Sequence, residues 1–348
     1  MKILLSAALL SLAAPAVAQP APPASASFRD WSVVCDNVDQ CTAIGYAPGL
    51  DIAEVSPFLW LKRDDGPDAR PDILIGLGWT EEAEAIAAGA AAQLRVAGAR
   101  GAQAFTGKVD EDDMGVRIVR LAPADEKRFL AALKDGDRIA ITAGGKALGQ
   151  VSLAGSSAAL RWMDDRQGRV GTVTALVATG PKPASAVATT AWPTVRLVNP
   201  VGPEAETALP PALLARKQVQ TCIEDQGDPD GEFARPKAMR MAGKEYLWTI
   251  PCGRGAYNFT SYFVIAGKDG SGARSPGLGE DDMVINADIG DDGILGVFAK
   301  GRGIGDCGQA ERWAWDGRRF RLVERFEMND CRGLPPSLWP RTWVAKLE

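Results

Sequence analysis

The sequence predicts a mainly β protein in two parts: an N-terminal β-sandwich-like domain with one helix, then a C-terminal antiparallel β domain stapled by disulfides. Three observations carry that expectation. Short runs of alternating apolar and polar residues, bounded by Gly, Pro, Asn and Asp, recur along the chain as half-buried strands and turns do. The six cysteines of the 348-residue chain fall in three local pairs. Residues 179–193, rich in Pro, Ala and Thr, interrupt the pattern near the middle, as a linker between two domains of ordinary size would.

Residues 1–18 read as a secretory signal peptide. Lys2 supplies the positive start, residues 3–14 the apolar segment, and Ala16-Val17-Ala18 the small-residue cleavage site. That apolar run is too short to span a bilayer comfortably, and no later stretch is apolar enough to cross one. The expectation is an exported, periplasmic or secreted chain that is not membrane-spanning and starts near Gln19. Residues 19–27, rich in Pro, Ala and Ser, are expected to be a flexible leader.

The N-terminal domain is placed at 28–178. Residues 28–35 and 41–46 read as strands around the turn Asp36 to Gln40, and residues 58–63 and 73–79 as two more. An alanine-rich stretch from Thr80 to Ala92 allows a helix capped by Thr80 with Glu81 and Glu82 in its first turn, although Gly89 weakens it. Residues 93–96 and 116–120 alternate as strands do, and Pro123 opens the best helix, with Phe129, Leu130 and Leu133 on one face. Strands at 138–142 and 150–153 follow.

The C-terminal domain is placed at 194–348. A short helix is expected at 213–219 after Pro210-Pro211, then strands at 246–252, 260–265, 283–286 and 296–300. Near the end, Trp313 and Trp315 alternate on one strand, Asp316-Gly317 makes the turn, and Phe320 and Leu322 alternate on the return strand. Residues 342–345 form the last expected strand.

Six cysteines allow fifteen pairings, so sequence alone selects none. Nearest neighbours are the simplest set: Cys35 with Cys41, Cys222 with Cys252, and Cys307 with Cys331. A zinc site finds no CxxC and no histidine, which favours disulfides and an oxidising compartment.

Several function classes lose their chemistry here. The absence of histidine removes the Ser-His-Asp triad, the Cys-His dyad and imidazole general bases. The net charge of −5 is spread without a basic run, which argues against nucleic acid as a partner. The run Asp288-Ile289-Gly290-Asp291-Asp292-Gly293 looks like a calcium loop, but Gly290 and Ala299 stand where ligands should be, so a polar turn is preferred. The carboxylates Asp164, Asp165, Asp306 and Glu311 could serve glycoside hydrolysis only if two faced each other across a substrate. No catalytic residue, metal ligand or cofactor is assigned.

Three segments taken together resemble the domain-of-unknown-function 1176 family of exported proteobacterial proteins. They are residues 151–164, from Val151-Ser152-Leu153-Ala154-Gly155 to Leu160-Arg161-Trp162-Met163-Asp164; Pro251-Cys252 with Gly255-Ala256-Tyr257-Asn258; and Gly305-Asp306-Cys307-Gly308 through Trp339-Pro340. The first domain, with Phe28, Asp30 and Trp31 leading to Cys35 and Cys41, also resembles the invasion-associated locus B family more weakly. That second resemblance implies a β-sandwich. The first implies an envelope location and carries over no catalytic residue.

Tryptophan beside arginine is the composition of binding hot spots, and also of a small stapled core. A binding surface would draw on Arg312, Trp313, Trp315, Arg332 and Trp339. The expected role is therefore a non-enzymatic binding or interaction module for an envelope protein or glycan. The alternatives are a carboxylate-dependent hydrolase acting on envelope carbohydrate and a secreted inhibitor of a cell-wall enzyme.

Overall fold

The computed structural model describes residues 23–48, 56–99, 101–226 and 234–348. The expected signal peptide and the first residues of the expected leader lie outside them. Its N-terminal half carries ten strands. These are β1 (Ala24–Phe28), β2 (Trp31–Cys35), β3 (Cys41–Tyr46), β4 (Phe58–Arg63) and β5 (Pro71–Gly76), then β6 (Ala91–Gly98), β7 (Gly101–Glu111), β8 (Arg117–Leu121), β9 (Gly136–Ala143) and β10 (Lys146–Ser152). They form one antiparallel sheet in the order β1-β2-β3-β4-β5-β8-β7-β6-β9-β10. The sheet folds over on itself, so that β10 comes back against β3 and β4. Three helices accompany it: α1 (Glu81–Glu84), α2 (Glu126–Asp135) and α3 (Ser156–Arg166).

Strands β3, β4 and β5 read as near-continuous apolar runs because both of their faces are buried. Leu59, Leu61, Ala43, Ile73 and Ile75 point into the main core of the half, with Trp31, Phe105, Phe129 and Ile141. Their alternate neighbours Ile44, Tyr46, Phe58, Trp60 and Leu74 point the other way. There they meet Met328, Leu334, Leu338 and Trp339 of the C-terminal half in a second cluster. The two halves therefore share a core. Hydrogen bonds cross the seam: Trp60 Nε1 donates to the Leu338 carbonyl at 2.9 Å. Arg341 pairs with Asp36 at 2.7 Å, and Asn37 exchanges two bonds with the Val344 backbone.

The segment 151–169 is bonded densely to its surroundings. Gly155 sits at φ 103°, where a Cβ would also collide with the Phe28 carbonyl, and Ser156 Oγ donates to the Leu133 carbonyl at 2.7 Å. Asp164, fully buried, pairs with buried Arg63 at 2.8 Å. It also accepts backbone N–H bonds from Leu176, Val177 and Ala178.

In the C-terminal half, β11 (Thr194–Val195) pairs in parallel with β22 (Lys346–Leu347). A first five-stranded sheet contains β12 (Glu204–Glu206), β13 (Lys237–Arg240), β14 (Glu245–Arg254), β15 (Phe259–Gly267) and β16 (Met283–Ile285). A second contains β17 (Asp288–Ile289), β18 (Ile294–Lys300), β19 (Gly308–Trp315), β20 (Phe320–Met328) and β21 (Arg341–Val344). Two helices, α4 (Pro211–Leu214) and α5 (Lys217–Asp225), cover the outer face of the first sheet. The disulfides join Cys35 to Cys41, Cys222 to Cys252 and Cys307 to Cys331, the nearest-neighbour set. They bolt the β2–β3 turn, α5 to β14, and the two ends of the β19–β20 hairpin.

The mainly β class and the disulfide staples agree with the sequence reading, and three details differ. The leader expectation fails at residues 24–27, which with Phe28 pair with β2 through their backbones despite an Ala/Ser composition that gives no apolar signal. The helix expected from Thr80 to Ala92 is a single turn: Thr80 does cap it, accepting from Ala83 N at 3.2 Å, but Gly89 sits at φ 84°. Residues 156–166 form a further helix, so α2 is not the one well-formed helix of this half.

Candidate functional site

Register explains where the C-terminal sandwich opens. Along the first sheet, Met239 pairs with Leu247, which pairs with Ile265. These side chains and Phe263 pack on Leu295, Trp315 and Phe320 of the second sheet. Two residues further along the same face, the side chains become Glu206, Lys237 and Thr249, and two further still Pro251 and Ser261. An interface cannot stay closed over ionised groups without burying unpaired charge. The sheets part there, leaving a cleft of about 490 Å³.

The cleft has two walls. The first sheet supplies Glu204, Glu206, Lys237, Thr249, Arg254 and Phe259. The segment 286–289, which leads into the second sheet, supplies Asn286 and Asp288. Glu204 accepts from Thr249 Oγ1 at 2.7 Å and pairs with Lys237 at 3.4 Å, while Glu206 pairs with Arg235 at 3.0 Å. The Arg254 guanidinium lies 5.8 Å from the centre of the Phe259 ring, within cation–π range. Asp288 makes no side-chain hydrogen bond or ion pair among the described residues.

Two asparagines hold the walls apart. Asn258, at the tip of the β14–β15 hairpin, donates to the Lys300 carbonyl at 2.9 Å and accepts from Lys300 N at 3.1 Å. Asn286, at φ 46°, accepts from Phe259 N at 2.7 Å and donates to the Phe298 carbonyl at 2.8 Å. The hairpin tip is thereby stitched to β18. Pro251, Cys252 and Asn258, three of the residues that suggested a family by sequence, belong to this construction.

The residues expected to share a binding surface do not lie together. Trp315 is 1% exposed in the core between the sheets, stacked edge-on against Phe320 at 5.3 Å. Trp339 is 3% exposed in the seam with the N-terminal half. Trp313 is half-buried and donates to Glu311 at 2.9 Å. Arg332 lies 5.3 Å from the Tyr46 ring at the seam. Only Arg312 is well exposed, 3.7 Å from Glu324. Trp315 is core because its strand position alternates inward, and Trp339 because the turn 336–338 carries it into the seam, neither of which composition alone reveals.

Three of the four carboxylates considered for hydrolysis are engaged in structure. Asp164 is locked by Arg63 and three backbone donors. Glu311 accepts from Arg325, Trp313 and Gln309. Asp306 pairs with Arg302 at 2.5 Å and accepts from Gly333 N at 2.6 Å. Residues 288–293 form β17 and the β17–β18 turn, with Asp292 accepting from Ile294 N at 3.0 Å. No group of three or more carboxylate or thiolate residues suited to a metal occurs among the described residues.

Asp306 and Asp316 give the C-terminal half a defined acid response. Burial alone would raise the Asp306 carboxyl, but Arg302 and the Gly333 N–H outweigh it and hold it below its usual value. Burial likewise opposes, and Arg321 with two backbone N–H groups overcomes, at Asp316. A carboxyl whose folded value is depressed contributes stability above its unfolded value, about 4, and loses it as pH falls through the folded one. Thermal midpoints should therefore drop on acidification below about pH 4. Asp306→Asn should lower the midpoint at neutral pH and flatten that acid limb; an unchanged limb would contradict the assignment.

The comparisons with known proteins come from sequence alone, since no solved structure matches. An uncharacterised protein of Escherichia coli (strain K12), YpfG, is 28% identical over 351 aligned residues, covering 94% of each chain. The match therefore includes both halves and the cleft between the C-terminal sheets. The family described as "Protein of unknown function (DUF1176)" matches residues 25–346, from β1 to the final strand pair. This chain, with its two-part β fold, belongs to that family.

Proposed function

We propose that this protein is an exported binding module of the cell envelope whose C-terminal cleft takes a polar ligand bearing both amino and carboxylate groups. The observation that carries this reading is the change along one sheet face from Met239, Leu247 and Ile265 to Glu206, Lys237 and Thr249. Such a cleft offers carboxylates to an amine and basic groups to a carboxylate, while Phe259 presents an aromatic ring to an apolar or sugar face. Cell-wall peptide fragments attached to amino sugars have this chemistry. Export is supported by three disulfides, which persist in oxidising compartments, and by the leader read from residues 1–18.

The test is calorimetric titration of the mature chain with a soluble disaccharide-tetrapeptide muropeptide. Binding is expected in the wild type, and Lys237→Glu should weaken it about tenfold by turning an attraction into a repulsion. Wild-type affinity in a folded Lys237→Glu protein would contradict the reading.

A second reading has its own support. Glu204 and Asp288 stand on the two walls of the cleft, as the carboxylates of a hydrolase would. Cleavage of the muropeptide, abolished by Asp288→Asn with binding retained, would favour hydrolysis over binding alone.

A further inference from the structure

We infer that a second concavity, at the tip of the β19–β20 hairpin, is a binding site for a phosphoryl-bearing anion. It measures about 610 Å³ and is lined by Arg274, Ser275, Gly277, Arg318, Arg319 and Arg321, none of which lines the cleft described above. Four guanidinium groups meet there in a chain whose net charge is −5.

Two of these four are neutralised from within. Arg274 pairs with Glu245 at 2.8 Å, and Arg321 pairs with Asp316 at 2.8 Å. The Arg318 and Arg319 side chains, both exposed, have no acidic partner among the described residues. Gathering like charges costs free energy unless an anion offsets it. Neither guanidinium donates a hydrogen bond to the fold among the described residues, although the stem of Arg319 lies against Gly277.

The rims are fixed in advance. Asp316 Oδ1 accepts from the backbone N–H of Arg318 and of Arg319, both at 2.8 Å, which sets the direction in which the two side chains leave the turn. Arg274 donates to the Arg318 carbonyl at 2.7 Å and lies 5.7 Å from the centre of the Trp315 ring. Phe320 N donates to the Pro276 carbonyl at 2.8 Å, and buried Asp282 holds Ser275, Gly277 and Leu278. A preformed site loses little entropy on binding.

Arginine forks match both carboxylate and phosphate, but the two differ in how many forks they satisfy. A planar carboxylate occupies one. A tetrahedral phosphoryl group presents oxygens in several directions at once, which suits guanidinium groups arriving from two rims. The phosphoryl group could belong to a soluble ester or to a lipid headgroup, and the experiment separates them.

The mature chain is titrated with inorganic pyrophosphate at constant ionic strength, and separately sedimented with vesicles of phosphatidylcholine alone or mixed with phosphatidylglycerol. The double variant Arg318→Ala/Arg319→Ala is run in parallel, with Arg312→Ala as a surface-arginine control. The expected result is binding to at least one phosphoryl probe that weakens about tenfold or more in the double variant and not in the control. Pyrophosphate binding lost in the double variant assigns a soluble phosphoryl ligand. Vesicle binding that needs phosphatidylglycerol and these two arginines assigns the headgroup. Absence of binding to both probes, equal binding by the double variant, or equal loss in the control would each overturn the proposal. Both arginines are exposed and hold the turn only through their backbones, so the double variant should keep the wild-type thermal midpoint without ligand.

Discussion

Asp164→Ala is expected to remove about 3–5 kcal/mol of stability, the cost of breaking a buried ion pair from one side. Its partner Arg63 is fully buried, and burial, partly offset by the attraction of Asp164, brings the guanidinium down to about 10. Without the carboxylate, a buried charge remains with, among the described residues, only Gln167 and the Thr174 carbonyl as acceptors. The N–H groups of Leu176, Val177 and Ala178 also lose their acceptor, which releases the segment after α3 from that helix. Asp164→Asn keeps the shape and should fall between alanine and wild type. Urea midpoints at unchanged slope measure this directly. A midpoint within error of wild type would show that the pair is replaceable.

Trp339→Ala is expected to cost about as much, roughly 3–5 kcal/mol for a large buried aromatic, but with a different signature. Trp339 packs 5.5 Å from Phe298 and donates to the Leu334 carbonyl at 3.1 Å. Its cluster joins Ile44, Tyr46, Phe58, Trp60 and Leu74 of one half to Met328, Leu334 and Leu338 of the other. Loss of that contact should uncouple the halves. Calorimetry should show one transition in the wild type and two in the variant, the disulfide-stapled C-terminal half melting later. A single transition in the variant, shifted but unsplit, would mean that the seam does not couple them.

Much of the fold was legible because its signals are local. The Asp316-Gly317 turn between alternating aromatics gives the register in which Trp315 faces Phe320 and Trp313 faces Leu322. The three disulfides join nearest neighbours, the simplest of the fifteen pairings, although spacing alone does not select it. Strand β7 gives no such signal, since only Phe105 and Val109 of its eleven residues are buried. Strand β1 is placed by its neighbour's backbone. The candidate site was illegible for a related reason: Glu204, Lys237, Thr249, Phe259 and Asp288 come from five strands and meet only once the register is known. Composition also misplaced the arginine signal. It drew attention to Trp313, Trp315 and Trp339, whereas the unpartnered arginines lie on the turn beside them.

The cleft reading is tested most directly by hydrogen exchange on the mature chain, with and without the disaccharide-tetrapeptide muropeptide. The account predicts new protection at Lys237, at residues 249–254 and 259–261, and at residues 286–289, with the β19–β20 turn unchanged. Protection confined to the seam or to the turn, or none despite saturating muropeptide, would contradict it.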